Sequence, residues 1–431
     1  MHSISVASEQ LQSRLANEIP ATPGLFHVDV SFPLNDAFDP LAWLGAQSVW
    51  PQFYWQQRNG DEELAALGAV IRFASLSEAQ DFLHRQEASD DTRLCGLNAF
   101  TPEAGALFLP RLLWLRTGGT ATLRVNLFST DSLQEDARAA LTFLAQLAAM
   151  KPIESLPATL LHETHLPDHP AWLQLIREAT DTIGRGAFEK VVLARATDLT
   201  FSEPLSAVAL MAASRRINLN CYHFCMVFDR HTAFLGSSPE RLWRRRGTLL
   251  RTEALAGTVA SHPDDAQAGR LAQWLLNDDK NQRENMLVVE DICQRLQRHT
   301  RALEVLPAQV VRLRKVQHLR RCIWTQMNDA NDAQCLSLLQ PTAAVAGLPR
   351  QPAREWIQRV EPFDREWYAG SAGYLSPAQS EFCVALRSAR VSESAVRLYA
   401  GAGIVSGSDP EQEWQEIENK AAGLRSLLLL D

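Results

Sequence analysis

The sequence predicts an α+β fold built on largely antiparallel sheets, and three observations carry that prediction. Strand-like runs come in hairpin pairs: Phe53–Gln57 and Leu64–Phe73 flank Asn59-Gly60, and Leu112–Leu115 and Thr122–Phe128 flank Gly118-Gly119. A Gly-containing pair between two apolar runs is a tight-turn signal for antiparallel neighbours. Helical segments lie between these strand groups, as in antiparallel sheets covered by helices. Finally, no GxGxxG follows the first strand and no P-loop is present, so the dinucleotide and nucleotide folds lose support.

The elements follow in order. Phe26–Phe32 alternates and reads as a strand. Asp39-Pro40 supplies an N-cap and a proline at the first helical position, opening a helix through Trp43 and Leu44. Ser75-Leu76-Ser77-Glu78 resembles a capping box before a short helix, and Asp131–Met150 is an Ala- and Leu-rich helix. Residues 151–170 are proline-bearing with little periodicity and make the best linker candidate. Trp172, Ile176, Ala179 and Ile183 then repeat at helical spacing, with Gly184 and Gly186 as the stop. Strands follow at Lys190–Ala194, Tyr222–Phe228, Ala233–Leu235, Leu242–Arg246 and Leu249–Thr252. A helical block runs from about Pro263 to Thr300. Further strands are Trp367–Leu375, Phe382–Ala389 and Val396–Val405, and Glu411–Leu429 closes the chain as a helix.

Composition narrows the function classes. The chain has 431 residues, 46% of them hydrophobic, with 11 tryptophans and a net charge of -8. That excludes a mostly disordered protein and argues against a dedicated nucleic-acid binder. No apolar run is long enough to span a membrane, and no basic start precedes an apolar run, so no signal peptide is expected. Seven scattered cysteines read as reduced thiols of a cytoplasmic protein. The close pair, Cys221 and Cys225, reads as buried small residues rather than a metal site.

Several residues could carry chemistry. Glu413 and Glu416 share one face of the last helix, where like charges repel; they are either a solvated acidic face or part of a cation site. Glu284 borders the apolar face marked by Leu287 and Val288, so it either pairs with a cation or is a surface residue at the rim of that face. Carboxylates from two distant helices could share Mg²⁺, which favours hard oxygen ligands. Lys190 begins the apolar run Val191-Val192-Leu193. It is either a snorkelling strand-end lysine or a desolvated base. Glu240, between two strands, is either a turn residue paired with Arg241 or a general acid. Gly257, Gly370, Gly373, Gly401 and Gly403 fall in strand-like segments, where glycine marks close approach of a ligand or another backbone. Arg387 is a lone cation in an apolar strand and calls for a carboxylate from protein or ligand. The arginines at 241, 244, 245, 246 and 251 read as a solvated edge.

Taken in order, these segments resemble the chorismate-utilising enzymes. The matching stretches are Lys190-Val-Val-Leu-Ala-Arg195, Ser237-Ser-Pro-Glu240, Leu255-Ala-Gly-Thr258, Val316-Gln-His-Leu319, Pro341-Thr-Ala-Ala-Val345, Trp367-Tyr-Ala-Gly370, Gly401-Ala-Gly-Ile-Val405 and Glu413-Trp-Gln-Glu-Ile-Glu-Asn-Lys420. Pro51-Gln-Phe-Tyr-Trp55 and Glu18-Ile-Pro-Ala-Thr-Pro-Gly24 resemble the menaquinone-type isochorismate synthase branch of that family. The resemblance implies two large packed antiparallel β-sheets with helices on the outside. It implies one large domain over 1–431, in which 1–165 contributes strands and helices and 166–431 forms the chorismate-binding catalytic portion. Residues 151–170 would then be a surface crossing.

The same resemblance implies the site. Glu284 and Glu416 would ligate Mg²⁺ directly and Glu413 through water. Tyr368, Arg387 and the Gly403 amide would hold the enolpyruvyl carboxylate, with Gly257 and Thr258 near the ring carboxylate. His318 would lie close to substrate and Lys420 at the metal end. Two positions depart from the family pattern. Asn281 stands where relatives often carry an acid, and Gln340 where many carry histidine. Ala256 cannot attack as the lysine of some aminating members does, and Lys190 in place of their glutamine points to water as nucleophile. Lys190 would remove a proton from water attacking C2, its pKa falling from about 10.4. Glu240 would protonate the departing C4 hydroxyl, its pKa raised. Ala344, where salicylate-forming members often carry a hydroxyl residue, favours stopping at isochorismate. The implied partner is the small molecule chorismate, with no nucleic acid, membrane or obligatory glutaminase. The alternatives are a salicylate synthase, a siderophore-pathway isochorismate synthase, an aminating chorismate enzyme and a non-catalytic anion-binding protein.

Overall fold

A computed structural model describes residues 2–34, 37–156 and 159–429. Its strands pair antiparallel throughout. Both expected hairpins form. Gln52–Gln56 pairs with Glu62–Phe73, and Gly105–Thr117 with Thr120–Ser129. Gly60 and Gly118 take the positive φ values, +77° and +57°, that these turns require.

The two layers are not separate sheets but one hydrogen-bonded ladder folded over on itself. One layer runs from Leu160–Leu166 through Lys190–Phe201, Ala395–Val405, Ser388–Ser392, Thr232–Ser238 and Tyr222–Val227 into the N-terminal strands. The second runs from Leu94–Asn98 through Ser371–Leu375, Gln379–Val384 and Arg241–Arg246 to Leu249–Ala260 and Val316–Met327. The long strand Gly105–Thr117 joins them, because its start pairs with Leu94–Asn98 and its end with Thr120–Ser129. The layers meet in a common core, where the buried Trp55 ring stands edge-on to Tyr374 at 5.4 Å between centroids. Burial of side chains of this size is the main stabilising term, about 1.5–3 kcal/mol each.

The N-terminal third thus supplies interior strands. The proline-bearing stretch does not end a sheet: Leu160–Leu166 pairs with Lys190–Phe201, while 157–158 lie outside the described residues.

Four local expectations need correction. The arginine strand is interior, hydrogen-bonded on both sides. Arg245 is buried against Asp332 at 2.7 Å and Arg241 against Glu381 at 3.3 Å, leaving Arg246 and Arg251 exposed. The strand expected across Phe382–Ala389 breaks at Arg387, which takes φ +46° between Gln379–Val384 and Ser388–Ser392. Trp367–Gly370 is a turn preceding the strand Ser371–Leu375. The helix expected to reach Met150 ends at Ala145.

Candidate functional site

The two layers and the helices Asp279–Leu296 and Pro410–Leu428 border a partly open cavity of about 50 Å³. Glu240, Gly257, Thr258, Glu284, His318, Ala344, Tyr368, Arg387, Gly403 and Lys420 line it. Ten of the thirteen sequence-predicted residues are therefore brought together around one space. Glu413 and Glu416 face an adjoining hollow that shares Thr258. Lys190 lies just behind the wall, fully buried.

One end of the cavity is cationic. Arg387 makes no ion pair with a carboxylate among the described residues; its Nη2 donates to His318 Nε2 at 2.5 Å. Burial first, then the charges of Arg387 and Lys420, hold His318 well below its ordinary value. The ring is neutral, so its proton sits on Nδ1, 3.0 Å from Thr258 Oγ1. A neutral histidine leaves Arg387's charge uncancelled for an anion. The left-handed backbone at Arg387 is unusual for a non-glycine residue and aims the guanidinium inward, as strained positions at ligand clamps do. Beside it, Tyr368 stacks on Tyr399 at 5.1 Å. A Cβ at Gly401 would lie 2.5 Å from the Tyr368 hydroxyl, so glycine there makes room for it.

Glu240 occupies another wall. It is not the partner of Arg241. Burial first, and then the charge of Glu253, push its carboxyl up to about 8, against the opposing charges of Lys190, Arg387 and Arg58. At neutral pH it carries its proton, as a general acid must.

The carboxylates opposite are each matched with a lysine. Lys190 Nζ is 3.1 Å from Glu284 Oε1, Lys280 Nζ donates to Glu413 at 2.9 Å, and Lys420 Nζ donates to Glu416 at 2.6 Å. The Lys190 contact is close enough for an ion pair but is not directed as a hydrogen bond, so this buried donor is unsatisfied. The strand pairing explains its position. Val405 sits opposite Lys190 and Gly403 opposite Val192. A Cβ at Gly403 would fall 2.2 Å from Glu284 Oε1 and 2.9 Å from Lys190 Cε. Gly403→Ala must therefore displace the Glu284 carboxylate. A loss of activity of about 10²-fold is expected in steady-state assays, the usual cost of a 1 Å misplacement.

The Gly257–Thr258 segment is shaped by a bulge, with register lost between Leu255 and Thr258. Gly257 has φ +93°. Asn281 Oδ1 accepts from the Thr258 amide at 3.0 Å, while Asn281 Nδ2 donates to the helix cap Asp278 at 2.7 Å. A carboxylate could accept from Thr258 but would repel Asp278, which explains asparagine here. Asn281→Asp should lower stability by about 1–3 kcal/mol, read as a fall in Tm. Gln340, the other departure, donates to Ala99 O at 2.6 Å and so ties to the N-terminal part.

A divalent cation suits the donor set. Glu284, Glu413 and Glu416 are hard oxygen donors. Burial, then the charges of Glu416 and Glu284, push Glu413 up to about 7 despite Lys280, a repulsion that a cation would relieve. The three are not drawn into a closed cage. Among the described residues, His27, Asp29 and Asp91 form the trio with donor atoms within 4.8 Å of one another. Arg124 already holds both of those aspartates at 2.6 Å, so that trio is an ion-pair cluster.

Sequence reasoning missed Lys280, Asn285 and Glu253. Asn285 Nδ2 donates to the carbonyls of Ala254, Ala256 and Leu319, which fixes the helix bearing Glu284 against the bulge. An amide one residue after a candidate ligand, on the buried face of its helix, was the available signal.

This fold, with a buried glutamate, a buried lysine, a carboxylate cluster and an arginine without a carboxylate partner among the described residues, defines a class. The chain belongs to the chorismate binding enzyme family, whose profile matches residues 97–429. It is similar to isochorismate synthase MenF of Escherichia coli (strain K12), with 65% identity over 431 residues and 100% of both chains covered. It is 32% identical over 436 residues to the salicylate biosynthesis isochorismate synthase of Pseudomonas aeruginosa, covering 93% of this chain and 90% of that one. The solved structure of MenF, the menaquinone-specific isochorismate synthase from Escherichia coli, superposes with a TM-score of 0.96 at 66% identity, covering 99% of this chain and 100% of that one. Anthranilate synthase component I from Streptococcus pneumoniae TIGR4 shares the fold, with a TM-score of 0.68 at 20% identity and 92% of each chain covered.

Proposed function

We infer that the chain is an isochorismate synthase, an isomerase that converts chorismate to isochorismate in menaquinone biosynthesis. The observation that carries this reading is the single cavity that sets Glu240, protonated up to about pH 8, together with Arg387, which has no carboxylate partner among the described residues. Full-length similarity to isochorismate synthases supports the reaction, and similarity through the N-terminal strands supports the menaquinone branch.

In this mechanism Arg387 and Tyr368 hold the enolpyruvyl carboxylate, with the Gly403 amide beside them. Gly257, Thr258 and His318 flank the ring. Lys190 takes a proton from the water that attacks C2. The ring double bonds shift, and the C4 hydroxyl leaves with the proton of Glu240. Glu284 and Glu416, with Glu413 through water, would hold Mg²⁺, which would supply positive charge against the ring carboxylate. Lys420 closes the metal end through Glu416 and the Gly401 carbonyl. Ala256 offers no amine to attack the ring, and Ala344 offers no hydroxyl toward pyruvate elimination; both line the cavity.

The chain works as one large domain in this reading, supported by the ladder that runs unbroken through both portions. Its place is the cytoplasm, in keeping with the free cysteines. No described helix is long and apolar enough to cross a membrane. The test of the metal is removal. Chelation should stop chorismate consumption and added Mg²⁺ restore it. Full turnover by metal-free enzyme would overturn the metal assignment.

A further inference from the structure

The loop that carries Glu240 is gripped from both sides by a buried ion pair. Arg58, in the tight turn between Gln52–Gln56 and Glu62–Phe73, donates from Nη1 to the Pro239 carbonyl at 2.9 Å. The same nitrogen is 2.6 Å from Glu253 Oε1. Glu253 lies on the strand Leu249–Ala260, and its Oε1 accepts from the Arg241 amide at 3.2 Å. The peptide groups before and after Glu240 are thus held by two charged residues that also hold each other. Arg58 lies outside the segment matched by the family profile, 97–429.

We propose that Arg58 and Glu253 form a clamp that positions Glu240 and sets its readiness to give up a proton. The inference rests on the reading of Glu240 as the acid. A loop between two strands has its own freedom, and an acid must stay within hydrogen-bond reach of the departing oxygen. The clamp removes that freedom at both flanks. It also places charge beside the carboxyl. The charged and titratable groups facing Glu240 are Glu253 and Arg58 of the clamp, Lys190 across the cavity, Arg387 from the broken strand, and Tyr368. Arg320 lies on the far side of Glu253, at 3.9 Å. Among these, Glu253 is the anion that favours the protonated form of Glu240. Ion pairing with Arg58 keeps that anion in place. The N-terminal hairpin is then part of the acid's machinery and not only of the sheet.

The experiment compares Arg58→Gln, Glu253→Gln and the double variant with the parent and with Glu240→Gln, all with Mg²⁺ and chorismate. The clamp predicts that each single variant loses about tenfold or more in kcat with KM for chorismate little changed. The double variant should lose no more than the worse single one, since the pair acts as a unit. It also predicts that Glu253→Gln moves the high-pH limb of kcat to lower pH, which a merely structural effect would not do. If a single variant fails to melt cooperatively, the double variant exchanges two charges for two amides and keeps the kcat-against-KM readout, while its high-pH limb moves less than that of Glu253→Gln because the two charges act on Glu240 in opposite directions. Folded variants with parental kcat and an unmoved high-pH limb, beside an inactive Glu240→Gln, would overturn the clamp alone. An active Glu240→Gln would overturn the acid assignment beneath it.

Discussion

Glu240→Gln should lower kcat by about 10²–10⁴-fold while leaving chorismate binding nearly intact. The glutamine keeps the size and a hydrogen-bond donor but has no proton to transfer. The parent should show the corresponding pH dependence. Activity needs the protonated carboxyl, so turnover falls as pH rises through about 8. Stability follows the same group. Its folded-state pKa is raised, so below the unfolded value of about 4.5 both states hold the proton and nothing is lost. As pH rises from there through about 8, the unfolded chain ionises first and the folded protein is progressively destabilised. Glu240→Gln lacks that group, so its Tm should gain on the parent's with rising pH. Thermal melts at several pH values check this independently of activity.

Lys190→Ala should be as damaging to turnover, again by about 10²–10⁴-fold. The structure excludes a snorkelling lysine, because Lys190 is 0% exposed. Its amine lies 3.1 Å from Glu284 Oε1, inside the wall of the cavity. Removing one member of a buried pair usually costs about 3–5 kcal/mol. Here Glu284 borders the cavity and can be solvated, so the variant should fold. It should also bind Mg²⁺ more tightly, because the Lys190 amine sits 3.1 Å from the Glu284 oxygen that a metal ion would need. Calorimetric titration of Mg²⁺ separates this from loss of the base: kcat falls while metal affinity rises. Unchanged or weaker Mg²⁺ binding would show that the Lys190–Glu284 contact does not oppose the metal.

Much of this was legible in the sequence because it is local. Asp39 caps its helix by accepting from the Leu41 amide, Ser75 caps the next, and both Gly-bearing hairpins turn where expected. The family motifs, each a short segment with its own shape, also named ten residues that line one cavity. What could not be read depends on contacts across the chain. The strand Arg241–Arg246 looked like an edge because its second partner, Gln379–Val384, is remote in sequence. Periodicity carried the strand through Arg387, where backbone torsion breaks it at φ +46°. The partner of Lys190 lies on a helix far along the chain, and the Arg58–Glu253 clamp joins the two portions. Neither leaves a pattern in spacing.

The most direct test of the central claim is to identify the product formed from chorismate by the purified protein with and without Mg²⁺. The account predicts isochorismate with no release of pyruvate, and formation only with the metal. Salicylate with pyruvate, an aminated product with ammonia, or no loss of chorismate would contradict it.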